Sequence, residues 1–280
     1  MIHFQACPLC EATNIARSFE VETPIGGGPR FQGFRYDCCA ECYTFYLVDP
    51  VDVSKYYTIR DSPAQRALPR SWNRWVARMV REHLDSASPL RVLDYGGATF
   101  TFEKALEDIG IADRVDLEVY DPYSEHHAEL SEAHFDIICL QEVLEHLDAP
   151  RATLEFLSTR LTPNGRMILT VPHYGTVSAL CSEQVVRPAN RFLTNFLNVP
   201  KHLFLPSPGG LEEVYTASGF ETVRWDTIPE DMRSVRRRLQ IMPPWGASKR
   251  EQALNVIRNV GHAVRRAPIS QGCVLRLRTS

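Results

Sequence analysis

Short apolar runs alternate with amphipathic stretches through the middle of the chain. Val92 to Tyr95 reads as a buried strand closed by the tight turn Gly96-Gly97, and Phe102 to Ile109 then repeats its apolar positions at helical spacing and reads as a helix. Leu117-Glu-Val-Tyr-Asp121-Pro122 reads as a second strand, ending in a carboxylate. Phe135 to Leu140 reads as a third, running straight into a helix predicted over Gln141 to Leu147. Leu161 to Arg166 predicts a turn, and Met167 to Val171 a fourth strand closed by Pro172. Strands that alternate with helices in this way predict an α/β fold, a doubly wound Rossmann-like parallel sheet. Upstream, Ser71 to Leu84 reads as a helix with Trp72, Trp75, Val76, Met79 and Val80 packed on one face. Gln271 to Arg278 predicts a last strand, completing the sheet as its antiparallel edge.

A strand that enters a helix through glycines is where such a sheet accepts a nucleotide-like ligand. Glycine removes the side chain that would hold backbone away from the ligand, and the crevice lies at the carboxyl ends of the strands. Asp121, at the end of the next strand, is placed to accept hydrogen bonds from ribose hydroxyls.

The N-terminus carries different chemistry. Of eight cysteines, four form two CxxC pairs, Cys7-Pro-Leu-Cys10 and Cys39-Ala-Glu-Cys42. A two-residue spacer lets the backbone curl around a metal, and two such pairs supply the four thiolates of a structural zinc. Cys38 is an alternative to Cys39, with a less suitable spacing to Cys42. The opening Met1-Ile-His-Phe-Gln is immediately polar, not a signal segment, so a reducing, cytoplasmic setting is expected and disulfides are disfavoured. Residues 1–50 are too few to bury much core unaided, and a metal staple answers that. The organisation expected is a zinc ribbon over 1–50, a connector and helix over 51–90, and an α/β domain over 91–280 with a lid at about 175–200.

At 44% hydrophobic, 280 residues support one α/β domain and a small appendage, and no apolar run reaches 18 residues, so no membrane span is expected. The net charge of −3 hides an asymmetry: residues 231–280 hold eleven Lys or Arg against two acids. Arg233, Arg236, Arg237 and Arg238 are its densest part, read either as a solvated face or as a contact for an anionic or carrier-linked partner. Residues 1–60 carry five Lys or Arg against seven Asp or Glu, a poor match for a phosphate backbone.

The segments VLDYGGAT (92–99), VYDP (119–122), FDIICLQEVLEHLDAP (135–150), LTPNGRMILTVP (161–172) and HLFLPSPGGLEEVYTASGF (202–220) together resemble the class I S-adenosylmethionine-dependent methyltransferases. The resemblance implies cofactor contacts from Asp94, Tyr95, Gly96, Gly97, Asp121, Pro122, Gln141 and Glu142, and from Tyr57 ahead of the first strand. The chain departs from the family at Ala98 and Phe100, where glycine is usual, and in a shortened region after Asp121-Pro122 that abbreviates the family's third strand and removes its acidic contact to adenine. The N-terminal cysteines resemble the branch that methylates sugars and other secondary metabolites. In that branch, histidines matching His146 and His202 line the active site, although Lys201 and Leu205 depart from the pattern around the second. His202, assisted or replaced by His146, is the implied general base. His173 also stands at a strand's carboxyl end, whereas His3, His83, His126, His127 and His134 do not. The function implied is methyl transfer to a hydroxyl, amine or activated carbon of a small-molecule intermediate. The alternatives are an RNA methyltransferase with a zinc module and a degenerate, non-methylating binding or scaffold protein.

Overall fold

The computed structural model describes residues 1–24, 31–52, 70–84, 88–97, 101–124, 127, 129–174, 185–186, 197–229 and 268–278. In chain order its elements are β1 (Ile15–Pro24), β2 (Phe31–Cys39), β3 (Phe45–Leu47), α1 (Ser71–Glu82), β4 (Leu90–Tyr95), α2 (Thr101–Asp108), β5 (Val115–Tyr120) and β6 (Phe135–Gln141). Then follow α3 (Pro150–Ser158), β7 (Leu161–Pro172), β8 (Val185–Val186), β9 (Phe204–Leu205), α4 (Pro208–Ala217), β10 (Phe220–Pro229) and β11 (Pro268–Leu277). The chain divides into two compact units: Met1–Val53, Pro172–Gly210 and Pro229–Ile269 form one, and Ser54–Val171, Leu211–Ile228 and Ser270–Ser280 the other. No described helix is long and apolar enough to cross a membrane.

The first unit is built on a five-stranded sheet in the order β8-β1-β2-β3-β9. Strands β1 and β2 pair antiparallel, with Phe19 opposite Tyr36 and Val21 opposite Phe34. Alternation decides which face is inside: Phe19 and Val21 are buried while Ser18 and Glu20 between and beside them are exposed. The Phe19 ring stacks on Tyr36 at 5.6 Å and meets Phe45 edge-on at 5.3 Å, so three strands share one aromatic core. The two-residue strands at the sheet's edges come from far downstream, β8 pairing parallel with β1 and β9 antiparallel with β3.

The second unit holds a six-stranded sheet in the order β10-β11-β7-β6-β4-β5, within which β5, β4, β6 and β7 are parallel neighbours. The fold is α/β and Rossmann-like. Helix α1 lays Trp75, Val76, Met79 and Val80 into a core with Val92, Phe102, Leu106, Ile137, Ile168 and Val274. Each of these side chains contributes about 1.5–3 kcal/mol by leaving water, which fixes the helix against the sheet. Gly272 makes room for Trp75, since a Cβ there would lie 2.6 Å from its ring.

Several expectations are corrected. The last strand is not an edge: β11 lies between β7 and β10, and Ser270, Gln271, Cys273, Val274 and Leu275 are all buried, as an interior strand requires. The helix expected over Gln141 to Leu147 is absent. Instead β6 runs through Gln141, Glu142 turns left-handed at φ 57°, and only Leu144–His146 forms a 3-10 turn. A left-handed residue ends any helical path through it, so Glu142 and His146 are not one helical turn apart on a shared face. The turn at 161–166 is an irregularity inside β7, where Leu161 pairs with Phe135 and Arg166 with Ile137. Among the described residues, none between Asp121 and His134 forms a strand.

Candidate active site

The carboxyl end of β4 is organised by a chain of side-chain amides. The Arg70 backbone N–H donates to Asn73 Oδ1 at 2.8 Å, Asn73 Nδ2 donates to Gln141 Oε1 at 2.9 Å, and Gln141 Nε2 donates to Asp94 Oδ1 at 2.9 Å. Each amide has its acceptor used on one side and its donor on the other, so all point the same way. Asp94 is only 3% exposed, and burial pushes its carboxyl up to about 7; the Gln141 bond pulls it down and the Asp121 charge adds to the rise. After Asp94 the backbone must turn sharply. Gly96 adopts φ +82°, and a Cβ there would lie 2.5 Å from Val143 Cγ2, while a Cβ on Gly97 would overlap Asp94 Oδ2. Both glycine N–H groups point at Tyr120 O, at 2.6 and 3.3 Å.

Parallel pairing sets Tyr95 against Tyr120, with ring centroids 5.1 Å apart, and so brings Asp121 one step beyond the ends of two adjacent strands. Asp121 is buried and accepts the Tyr123 N–H at 2.8 Å, while Pro122 is exposed in the turn between them. Sheet pairing thus draws Asp94, Tyr95, Gly96, Gly97 and Asp121 together. Tyr57, Ala98, Phe100, 175–184 and 187–196 of the expected lid, and the basic run from Arg233 to Arg238 lie outside the described residues.

On the other side of β6, Glu142 donates its N–H to Thr170 O at 2.9 Å. Burial pushes its carboxyl up to about 7 despite nearby Ser270 and Thr170 hydroxyls, and its Oε1 has no hydrogen-bond partner among the described residues. Glu145 is fully buried, its carboxyl driven up by burial first and by the Glu142 charge second. His146 closes the 3-10 turn with its N–H on Val143 O at 2.9 Å. Asn73, Thr170 and Ser270 were not anticipated from sequence. Asn73 had a signal: it is the one polar position on a buried helix stripe with Val76, Ala77 and Val80.

In the first unit, the sulfurs of Cys7, Cys10, Cys39 and Cys42 lie within 4.8 Å of one another, with Cys7–Cys42 and Cys10–Cys39 each at 3.5 Å. Tetrahedral zinc with Zn–S of about 2.3 Å needs sulfurs about 3.8 Å apart, so the donor set fits that ion in number, chemistry and spacing. The Cys42 N–H reaches Cys39 Sγ at 3.5 Å, curling the second knuckle inward. Cys38 stands apart, its sulfur on Cys39 O and Tyr43 O, and none of the described cysteines forms a disulfide. His202, in the same unit, is 6% exposed, its carbonyl accepting the Tyr36 hydroxyl at 2.6 Å. His173, also there, is half-buried, and burial lowers its pKa.

A family model described as a methyltransferase domain matches residues 64–224. Among curated proteins, none matches the sequence. The fold is similar to a Haloferax volcanii complex of the Trm112 methyltransferase activator with a candidate methyltransferase, at 14% identity and TM-score 0.47, covering 75% of this chain and 91% of that one. It is also similar to the plantazolicin methyltransferase BpumL in complex with SAH, at 16% identity and TM-score 0.44, covering 81% and 89%. A third likeness is to the mitomycin 7-O-methyltransferase MmcR, at 13% identity and TM-score 0.41, covering 74% of this chain and 54% of that one. Likenesses this distant say nothing of substrate; the family match, spanning more than half the length, does the assigning. The chain belongs to the class I S-adenosylmethionine-dependent methyltransferases.

Proposed function

We propose that this chain methylates a hydroxyl, amine or activated carbon of a small-molecule biosynthetic intermediate, with S-adenosylmethionine held at the ends of β4 and β5. The observation that carries the cofactor reading is the pair of buried carboxylates, Asp94 and Asp121, flanking the Gly96-Gly97 turn on adjacent parallel strands. A cationic ligand with a ribose diol suits that arrangement: Asp121 accepts from the diol, while Asp94, oriented by Gln141, faces positive charge. Tyr95, Pro122 and Tyr57 complete the proposed contacts, with Gln141 and Glu142 on the β6 side. When bound, the sulfonium supplies an activated methyl group, and the protein's work is to position the acceptor and take its proton. His202, assisted or replaced by His146, is the proposed base, since imidazole titrates near neutrality.

Cys7, Cys10, Cys39 and Cys42 would hold a structural zinc. Four protein ligands leave no open coordination position, which assigns this metal to folding and not to chemistry. The basic C-terminal run suits an anionic or carrier-linked acceptor, so the intermediate is to be sought by charge as well as size. The test is incubation with methyl-tritiated S-adenosylmethionine and separate pools of hydroxyl-, amine- and ketone-bearing metabolites and of total RNA. Label in a small-molecule pool supports the reading, and label confined to RNA overturns it.

A further inference from the structure

We propose that the four-cysteine centre is a positioning device for the His202 segment: residues 202–210 keep their place only while the metal-bound ribbon is folded beneath them. This rests on the zinc reading above and deepens it.

The segment is tied at every step to residues 36–47, which run through the second cysteine knuckle and the strands on either side of it. The Tyr36 hydroxyl donates to His202 O at 2.6 Å, from a tyrosine with no exposed surface. Leu47 N–H donates to Leu203 O at 2.8 Å, and β9 pairs with β3 through Tyr46 opposite Phe204 and Phe45 opposite Leu205. Ser207 then engages the knuckle itself: its N–H donates to Thr44 Oγ1 at 3.2 Å, and its hydroxyl donates to Cys42 O. The same hydroxyl accepts the Gly210 N–H at 2.9 Å, capping the first turn of α4.

Gly210 shows how close the approach is. A Cβ there would overlap Thr44 Oγ1 and stand 3.2 Å from Cys42 Sγ, so the glycine lets helix backbone lie directly against a metal ligand. Thr44 Oγ1 is itself 3.3 Å from that sulfur. Cys42, Thr44, Ser207 and Gly210 therefore form one contiguous layer outside the four sulfurs, of the kind that orients metal ligands.

A two-residue strand has little stability of its own, so β9 depends on its platform. The platform's backbone path is set by Cys39 and Cys42 closing on the ion, and metal binding in so small a ribbon is coupled to its folding. Coupling of this kind is reciprocal. Loss of metal should loosen 202–210, and damage to 202–210 should weaken the hold on metal.

Amide hydrogen exchange is read on the zinc-loaded protein before and after chelation, and zinc release to a colorimetric chelator is timed in the parent, Ser207→Ala, Gly210→Ala and, as a control in the other unit, Asp226→Asn. Chelation should deprotect 203–210 together with the ribbon, leaving β4, β6 and S-adenosylmethionine affinity unchanged. Ser207→Ala removes the hydroxyl's bonds to Cys42 O and from Gly210 N–H and should release zinc about five- to tenfold faster, and Asp226→Asn at the parental rate. Protection of 203–210 that survives zinc removal, or parental release from both Ser207→Ala and Gly210→Ala, overturns the inference. A parent that binds no zinc overturns the zinc reading along with it. Neither readout uses methyl transfer, so the result stands apart from whether His202 proves to be the base.

Discussion

Gln141 Nε2 donates to Asp94 Oδ1 at 2.9 Å, and this bond joins the end of β6 to the buried carboxylate at the end of β4. Asn73 holds Gln141 in the donating orientation, so the geometry at Asp94 is set two residues away, on helix α1. Burial raises the Asp94 carboxyl from its ordinary 3.8 to about 7. Between those values the folded chain retains a proton that the unfolded chain has lost. This group's contribution to stability therefore falls as pH rises through that window, and is level above it. A cationic ligand favours the carboxylate, so S-adenosylmethionine should bind more tightly as pH rises to about 7, releasing a proton below that point. Gln141→Leu removes the bond that favours the charged form and should move the midpoint of the affinity profile upward, while Asp94→Asn should flatten it. Calorimetry across this pH range, in buffers of different ionisation enthalpy, reads both the affinity and the proton.

Gly97→Ala should disable the cofactor site with little change in global stability. Its Cβ would overlap Asp94 Oδ2, and the carboxylate is the more easily displaced of the two. S-adenosylmethionine affinity should fall by at least about tenfold, the scale of one lost charge-assisted hydrogen bond, while the thermal midpoint moves by a few degrees at most.

One zinc per chain is expected by metal analysis, and Cys10→Ser should lose it and destabilise the ribbon. The four thiols converge, and none of the described cysteines forms a disulfide. A metal-free parent with an ordered, protease-resistant N-terminus would contradict this.

Legibility followed locality. Strand β4, its glycine turn, Asp121 and the two CxxC pairs could be read because each rests on a few consecutive residues; within the second unit, pairing of β4 with β5 then set the glycine turn beside Asp121. What escaped depends on distant partners. Two-residue strands such as β8 and β9 have no periodicity to read, yet they extend a sheet that starts near the N-terminus. The interior place of β11 is set by β7 and β10, and Ser270-Gln271-Gly272 within it interrupts the apolar run that would mark a buried strand. The apolar spacing of QEVLEHL reads as helix, but Glu142 takes a left-handed turn with its N–H on Thr170, a contact the local sequence does not announce. Asn73 was hidden among tryptophans whose packing accounted for the helix without it.

His202→Ala, His146→Ala and the double variant separate base catalysis from positioning. If a hydroxyl or carbon acid is methylated, loss of the base should cut turnover by about 10²–10⁴-fold and leave cofactor affinity unchanged. Near-parental turnover in all three would remove histidine base catalysis and point to an amine or carboxylate acceptor that attacks unaided.

The most direct measurement is calorimetric titration of S-adenosylmethionine into the parent and into Asp121→Ala. The parent should bind one equivalent, and the variant should bind more weakly by roughly 1.5–3 kcal/mol, the cost of a lost charge-assisted hydrogen bond. Equal affinity in both would contradict the ribose assignment at Asp121. A parent that binds no cofactor would contradict the whole account and leave a methyltransferase fold serving as a binding or scaffold protein.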